Sequence, residues 1–575
     1  MKIPPELVPT VLSHPAEAVR LAEELAIDPV LAELLVQRGV RTFEEARKFF
    51  RPSLDDLHNP FEMKDMDKAV HRLIQAVEMG ERVLVYGDYD VDGTTAVAMM
   101  FSFLRSCGLD CLFYIPDRYK EGYGFSFAGV DYATEQGVAL IITLDCGIRD
   151  GEKVARANER GIDVIVCDHH QPQELPPALA VLDPHRADCN YPYKGLSGCG
   201  VGLKLIQAFC MERGIGMDPV MQALDLVAIS IGADIVPLTG ENRVLATFGL
   251  QRLQEQPRPG ILALLKSARF STSRLTISDV VFVIAPRINA AGRMKSGEDA
   301  VRLLLADSME HANNFSAGIE QDNTNRKSTD KNITREAIAK VNADEFYRAS
   351  YSTVVFHEEW HKGVVGIVAS RLVEEYYKPA IVLTGNNGKL TGSARSIPGL
   401  DLYNALGQCS DLLDQFGGHT MAAGLTLPPD NFELFRDRFD SVVAGMLGNM
   451  RPIRSMRVDA EISFDQVTPK FFRLLRMFEP FGPGNMNPQF LTKHLENAGG
   501  TRCVGSDLSH LKVRLREKGS AMVPMEGIGF GMGEMEEHLK ENASVDVVYC
   551  LDENVWQNRR SIQLVVKDIR PSKED

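Results

Sequence analysis

The chain has 575 residues, too many for one hydrophobic core, and its length predicts about three to four domains. A hydrophobic fraction of 44% and a charged fraction of 25% are those of an ordinary globular protein; no apolar run approaches the ~20 residues of a membrane span, and the N-terminus lacks the charged start and apolar core of a secretion signal. A net charge of −15 argues against indiscriminate duplex binding but leaves room for local basic stretches, while ten cysteines without regular spacing argue against a disulfide framework, no CxxC pair suggests zinc, and free thiols in a cytoplasmic enzyme fit best.

Residues 1 to about 75 read as a polar helical segment with short amphipathic stretches such as VLAELLVQRGV and no chemistry of its own. The pattern sharpens at RVLVYGDYDVDGTTAVAMM. Val83 to Tyr86 predict a buried strand, Gly87 ends it, and Thr94 or Thr95 is expected to cap a helix running to about Cys107. Asp88, Asp90 and Asp92 stand between strand and helix. Three carboxylates so close repel unless a cation neutralises them, which makes the loop a metal-binding candidate; an acidic surface turn is the competing reading. LDCLFYIPDR predicts a second strand, VALIITLDCG a third ending at Asp145, and DVIVCDHH a fourth ending at Asp168, His169 and His170. Strand–helix alternation implies parallel βαβ units with right-handed connections, so the C-terminal ends of the strands share one edge. The acids and the two histidines converge on that edge, as a donor set for a divalent metal requires.

Asp234 follows the apolar helix VMQALDLVAISIG and reads equally as a C-cap or as a further ligand. VVFVIAPRINAAGRM is a buried stretch running into Arg287, Asn289 and Arg293, where an anion site and a structural arginine pair both fit. Residues 298 to about 345 predict a long exposed helix linking two domains. A second α/β unit starts near Tyr351. Its Gly392-Ser393-Ala394-Arg395-Ser396 and Gly417-Gly418-His419 set small residues around one cation and one imidazole, which suits a phosphate; two tight turns are the alternative. From Pro452, short alternating strands predict a small barrel, with Arg473, Arg476, Lys512 and Arg514 as a basic face and Phe471, Phe472 and Trp556 as stacking aromatics.

The ordered set GDYDVDGTT, TLDCG, DHH and GADIVP, then PRINAAGRM, WHKGVVGIVASR, GSARS and FGGHTMAAG, resembles the DHH phosphoesterase superfamily and, within it, the bacterial single-stranded-DNA exonucleases. EPFGPGNMNP, Glu479 to Pro488, is similar to the opening of their oligonucleotide-binding barrel. The resemblance implies an α/β fold: a parallel-sheet DHH domain (76–297) and a DHH-associated DHHA1 domain (346–450) joined by a long helix (298–345), with an N-terminal helical segment (1–75) and a C-terminal OB-fold barrel (451–575). It implies a 5′-to-3′ exonuclease that releases 5′-mononucleotides with two Mn2+ or Mg2+ ions. Asp90, Asp92, Asp145, His169 and Asp234 would be the ligands, with Asp145 bridging and Asp88 helping the second ion directly or through water. His170 would meet the scissile phosphate, and Arg118, Arg287, Ser393, Arg395, Ser396, Gly417, Gly418 and His419 the strand and its terminal phosphate. Cys146 stands where many relatives carry Asn. The implied partners are single-stranded DNA with a 5′ end, a single-stranded-DNA-binding protein and a repair helicase, in cytoplasmic DNA repair and recombination. Two rivals stay open: a small-substrate phosphoesterase of the oligoribonuclease or pyrophosphatase kind, and a non-catalytic strand-holding subunit.

Overall fold

The computed structural model describes residues 5–11, 13–541, 544–557 and 559–572. After a short strand β1 (Glu6–Pro9), the apolar runs expected as strands form one parallel sheet: β2 (Val83–Gly87), β3 (Cys111–Tyr114), β4 (Leu140–Leu144) and β5 (Asp163–Cys167). A fifth strand, β6 (Ala180–Leu182), extends it to the order β3-β2-β4-β5-β6. All of β2, β4 and β6 is buried, as in parallel sheets whose two faces are both covered by helices. The helix after β2, Val91–Ser106, is capped by Asp90 and not by a threonine: the Asp90 carboxylate accepts from Gly93 N at 3.0 Å. Thr94 and Thr95 lie one turn inside, and their hydroxyls donate back to Asp90 O and Val91 O. Gly93 is obligatory, because a Cβ there would stand 2.4 Å from Asp88 O.

The stretch before Arg287 is helical. Val280–Ile284 forms a π turn in which Ala285 N reaches Val280 O, and the helix Ala285–Met294 follows. Pro286 has no N–H to give the preceding turn, which accounts for the widened register. Phe282, expected inside, is 76% exposed on this turn. The linking helix is broken: Glu298–Leu304 ends, Ser308 caps a new start by accepting from His311 N, and Met309–Ala343 runs for 35 residues, about 50 Å. It carries the second α/β layer, β7 (Thr353–His357), β8 (Ala380–Asn386), β9 (Lys389–Arg395), β10 (Gln415–Gly418) and β11 (Ala422–Leu427), in the order β10-β11-β9-β8-β7 with only β7–β8 parallel.

After β12 (Ser455–Val458), the C-terminal strands β13 (Ala460–Glu461), β14 (Phe490–Asn497), β15 (Arg502–Val504), β16 (His510–Glu517), β17 (Met525–Gly529), β18 (Val545–Trp556) and β19 (Arg559–Pro571) form an OB barrel, with β14 also pairing β16. Phe471 and Phe472 are buried in its core and are not stacking aromatics; the Trp556 side chain lies outside the described residues. Arg476 and Lys512 are ion-paired to Glu479 and Glu526, so the basic face is partly neutralised. The N-terminal segment is divided between two bodies. Leu31, Leu34 and Leu35 share the barrel's core with Phe478 and Phe490, and β1 pairs with β12, whereas Met66–Met79 packs into the core of the parallel sheet.

Arg243, on the helix Gly240–Glu255, ties these bodies together. Its buried guanidinium donates to Phe49 O, Phe478 O and Glu479 O at 2.9–3.1 Å and stacks 3.8 Å from the Phe49 ring centre, with no carboxylate partner. Burial, then the nearby Arg38, lowers its pKa to about 10, so it stays charged at neutral pH. Arg243→Ala orphans those carbonyls and is expected to cost roughly 3 kcal/mol in a denaturant titration, with limited proteolysis now cutting between the parallel-sheet domain and the barrel. A variant that melts like the wild type and resists the protease would refute this role for Arg243.

Candidate metal centre and phosphate cleft

The C-terminal edge of the parallel sheet gathers three overlapping donor sets among the described residues, one of them Asp145, His169 and His170. Asp88, Asp90 and Asp145 offer oxygens within 4.8 Å of one another; Asp92, His169 and Asp234 form the second set on the same criterion. His169 lies between them, with Nε2 3.1 Å from Asp145 Oδ1, 3.6 Å from Asp234 Oδ2 and 3.8 Å from Asp92 Oδ2. Asp145 sits at φ 61°, a conformation that a non-glycine residue holds only when its surroundings impose it. Glycine is required beside it: a Cβ on Gly198 would stand 2.6 Å from Asp145 Cβ.

The carboxylates are supported unequally. Asp92 accepts from Gly198 N at 2.6 Å, Cys199 N at 2.7 Å and Ser230 Oγ at 2.7 Å, so the N-terminus of the helix Gly198–Glu212 holds its charge. Both Asp88 oxygens are buried without a hydrogen-bond partner. Burial, reinforced by Asp90, pushes the Asp88 carboxyl well above its ordinary value; burial together with Asp92, Asp90 and Asp234 does the same to Asp145. Asp234 is raised to about 8 by burial and by Asp92 and Asp90. Orphaned buried oxygens, crowded acids and one imidazole fit a pair of hard divalent cations, and none of the described groups nearby supplies an equivalent charge. Cys146 is buried beside this cluster, where burial, then Asp168, pushes its thiol well up, and it belongs to none of the donor sets among the described residues.

His170 is held differently. Its Nδ1 lies 2.7 Å from Asp168 Oδ1 and its Nε2 3.0 Å from Tyr123 Oη. Burial opposes its charge, but the Asp168 hydrogen bond and charge outweigh burial and raise it to about 9. Asp168, opposed by burial and favoured by His170, falls to about 2 and also accepts from Ile148 N and His169 N. The pair is thus an imidazolium on a carboxylate. Asp168 is expected on this edge among the converging acids, and the structure makes it the partner of His170; Tyr123 is not among the expected site residues, and the GYG turn is its only signal.

Near the acids stands a group of arginines, with Arg118 close enough to Asp88, and Arg293 to Asp90, for their charges to act on each other. Burial, then Arg118, Arg326 and Arg395, lowers Arg293 to about 10; its Nη1 donates to Gly363 O at 3.2 Å. Among the described residues, none of Arg118, Arg293, Arg326 and Arg395 has a carboxylate within 4.0 Å. Arg118 stacks on Tyr89 at 4.9 Å. Ser393 and Arg395 meet at Gly366, where a Cβ would stand 3.0 Å from Arg395 Nη2 and 3.2 Å from Ser393 Oγ. Four guanidiniums without a resident anion suit a phosphate. The remaining expected residues fall in three places. Arg287 is engaged by Glu320 at 2.5 Å and by Val283 O, so Arg293 is the freer cation of that stretch. Ser396 is buried and donates to Leu400 O, a structural bond. Gly417 and Gly418 end β10; a Cβ on Gly418 would meet Ala422 O at 2.4 Å, and the turn brings His419 close enough to His170 and Arg149 for their charges to lower its pKa after burial has done so.

A parallel sheet with this acid and histidine edge, a linking helix and a second α/β layer define a DHH phosphoesterase: the profile of the DHH family, N-terminal domain, matches residues 82–231, the DHHA1 domain 348–445 and the RecJ OB domain 458–568. The single-stranded-DNA-specific exonuclease RecJ of Bacillus subtilis is 38% identical over 95% of this chain and 69% of its own, and that of Escherichia coli 35% identical over 95% of this chain and 96% of its own. RecJ from Thermus thermophilus, solved in complex with Mn2+, matches with a TM-score of 0.84 at 29% identity over 99% of this chain and 80% of that one. The chain belongs to the RecJ family.

Asp168→Asn keeps the size of the side chain and removes the charge that holds His170 protonated. It is expected to lower kcat by about 10²–10³-fold while manganese affinity, measured by calorimetry, stays within about threefold. A parallel loss of metal affinity would assign Asp168 to the metal site instead.

Proposed function

We propose that the chain is a single-stranded-DNA-specific 5′-to-3′ exonuclease that hydrolyses phosphodiesters with two divalent ions, Mn2+ or Mg2+, and releases 5′-mononucleotides. The observation that carries this reading is the pairing of two adjacent acid donor sets with an unpaired arginine group across the cleft. A metal site alone serves many hydrolases; the arginines supply the second anion site that a strand end needs. Membership of the RecJ family selects DNA among phosphodiesters.

Asp88, Asp90 and Asp145 would hold one ion, and Asp92, His169 and Asp234 the other with Asp145 shared. When bound, such ions acidify water and take up charge on phosphate oxygens. The chain's own residues do the rest. Arg118, Arg293 and Arg395, with Ser393 and His419, bind the terminal phosphate and fix how far the strand enters. The scissile P–O3′ bond is thereby set over the acids. His170, charged through Asp168, offers its Nε2 proton to the phosphate or to the departing O3′, with Tyr123 as its partner while no strand is present. Water adds to phosphorus, the P–O3′ bond breaks, and the shortened strand begins with a new 5′ phosphate. We place this activity in cytoplasmic DNA repair and recombination, beside a single-stranded-DNA-binding protein and a repair helicase. No helix of the described residues is long and apolar enough to cross a membrane.

The test is digestion of 5′-labelled and 3′-labelled single strands, with duplex and short RNA as controls. Labelled mononucleotide is expected at once from the 5′ end only, with duplex spared and the activity lost in Asp145→Ala. Hydrolysis of di- to pentanucleotides or pyrophosphate with long DNA intact would favour a small-substrate enzyme; binding without cleavage would make the chain a strand holder. Metal removal has its own readout. Adding Mn2+ to chelator-treated protein should raise Tm, since an ion at 100 times its Kd stabilises the fold by about 2.7 kcal/mol, and Asp145→Ala should abolish most of that rise.

A further inference from the structure

Asp234 closes the helix Asp218–Ala233, and the next residue, Ile235, sits at φ 58°, a left-handed conformation that a β-branched side chain resists. Strain of this kind persists only where the surroundings over-determine the chain. They do so from two sides. In the catalytic domain, Tyr193 Oη and Asn242 Nδ2 each donate to Pro237 O at 3.0 Å. From the barrel, the Gly482–Asn485 turn bears on the two residues after Pro237. Leu238 N donates to Pro483 O at 2.6 Å. A Cβ on Gly482 would stand 2.3 Å from Leu238 Cδ1, and one on Gly484 2.8 Å from Thr239 Cγ2. The turn has a fixed shape. Gly482 and Asn485 exchange both backbone hydrogen bonds, and the buried Asn485 amide donates to Phe478 O and Pro480 O and accepts from Arg38 Nε at 2.7 Å.

We infer that the Gly482–Asn485 turn of the barrel is a positioning element of the metal centre: it fixes the 234–239 loop and so sets where the Asp234 carboxylate stands. The inference rests on the proposed role of Asp234 as a ligand. It gives the barrel a task beyond holding a strand, because metal affinity becomes a property of the docked barrel. It also explains the glycine at 482, where any side chain would drive Leu238 away; Gly484 has a second reason, its φ of 76°.

Gly482→Ala and Gly484→Ala in the full chain test it. Calorimetry with MnCl2 and no DNA reads metal affinity, anisotropy of a labelled oligonucleotide in chelator reads strand affinity, and thermal melting in chelator reads folding. Each variant is expected to bind Mn2+ about 10-fold more weakly, with the Mn2+ concentration for half-maximal digestion rising in step and strand affinity within about twofold. Thr239→Ser removes the crowded methyl and should restore part of the loss in Gly484→Ala, the rest being the strain of an alanine at φ 76°; Gly484→Ala also serves should Gly482→Ala fail to fold. Folded variants with wild-type Mn2+ affinity, Gly482→Ala above all, would overturn the inference. Asp234→Asn separates it from its premise: unchanged Mn2+ binding in that variant would remove Asp234 from the ligand set itself.

Discussion

The structure depends on crowding like charges where water is scarce. Asp88, Asp92 and Asp145 are almost wholly buried, with Asp234 and Asp90 beside them, and burial first, then the neighbouring carboxylates, raises Asp88, Asp92, Asp145 and Asp234 alike, with His169 opposing the rise at Asp92. Such a cluster opposes folding, and the hydrophobic sheet beneath it supplies the rigidity that keeps it closed. The contrast between Asp92 and Asp88 shows how the conflict is shared. Asp92 is solvated by backbone from the helix Gly198–Glu212 and so is prepared to be an anion. Neither Asp88 oxygen has a well-formed hydrogen bond among the described residues, only weaker help from the Tyr89 and Gly124 backbone, so its charge calls for a cation.

The opposite wall follows from the same electrostatics. Arg118, Arg293, Arg326 and Arg395 come from the catalytic domain, the long helix and β9, and their mutual repulsion adds to the burial that lowers Arg293. Among the described residues the acids and these arginines feel each other's charge but form no ion pair within 4.0 Å. What fits between them is an anion that needs both a metal and a guanidinium, which a phosphodiester with a terminal phosphate does. The domain interface keeps the gap: Arg293 reaches across to Gly363 O, and Tyr119 Oη donates back to Arg293 O. Gly363 has to be glycine because a Cβ there would stand 2.5 Å from Arg293 O.

Much of this was legible before any coordinates, and for a physical reason. Asp88 to Asp92, Asp145 and the two histidines each follow a short apolar strand, and parallel connections place the ends of such strands on one edge. Asp234 was balanced between two readings because a helix end is as often a cap as a ligand, and only folding brings it within 3.6 Å of His169. The supporting shell was opaque. Asp168 acts by holding a histidine, which leaves no spacing of its own, and Ser230 reaches Asp92 across 138 residues. Arg287 and Arg293 share one motif, yet Glu320 on a distant helix decides which of them is paired. The N-terminal helices looked self-contained because their apolar faces are short; their partners lie more than 400 residues away in the barrel.

That last separation bears on how the chain works as a unit. Divisions that are clean in sequence are not divisions in the packing: residues of the first fifty complete the barrel's core, Arg243 closes the helix end that the barrel brings to the catalytic domain, and Asn485 joins Arg38 to the turn beside Leu238. These contacts are bonds to buried carbonyls and a buried amide, with few charges that salt would screen, so they act as fixed joints and not as steering forces. A fixed joint has a consequence for a strand-degrading enzyme. Any load on the barrel would reach the catalytic edge through Pro483 and Leu238. Two independent anchors on the 234–239 loop, one from each body, resist that load from both sides. The catalytic geometry is therefore kept by the same contacts that close the chain's two ends on each other.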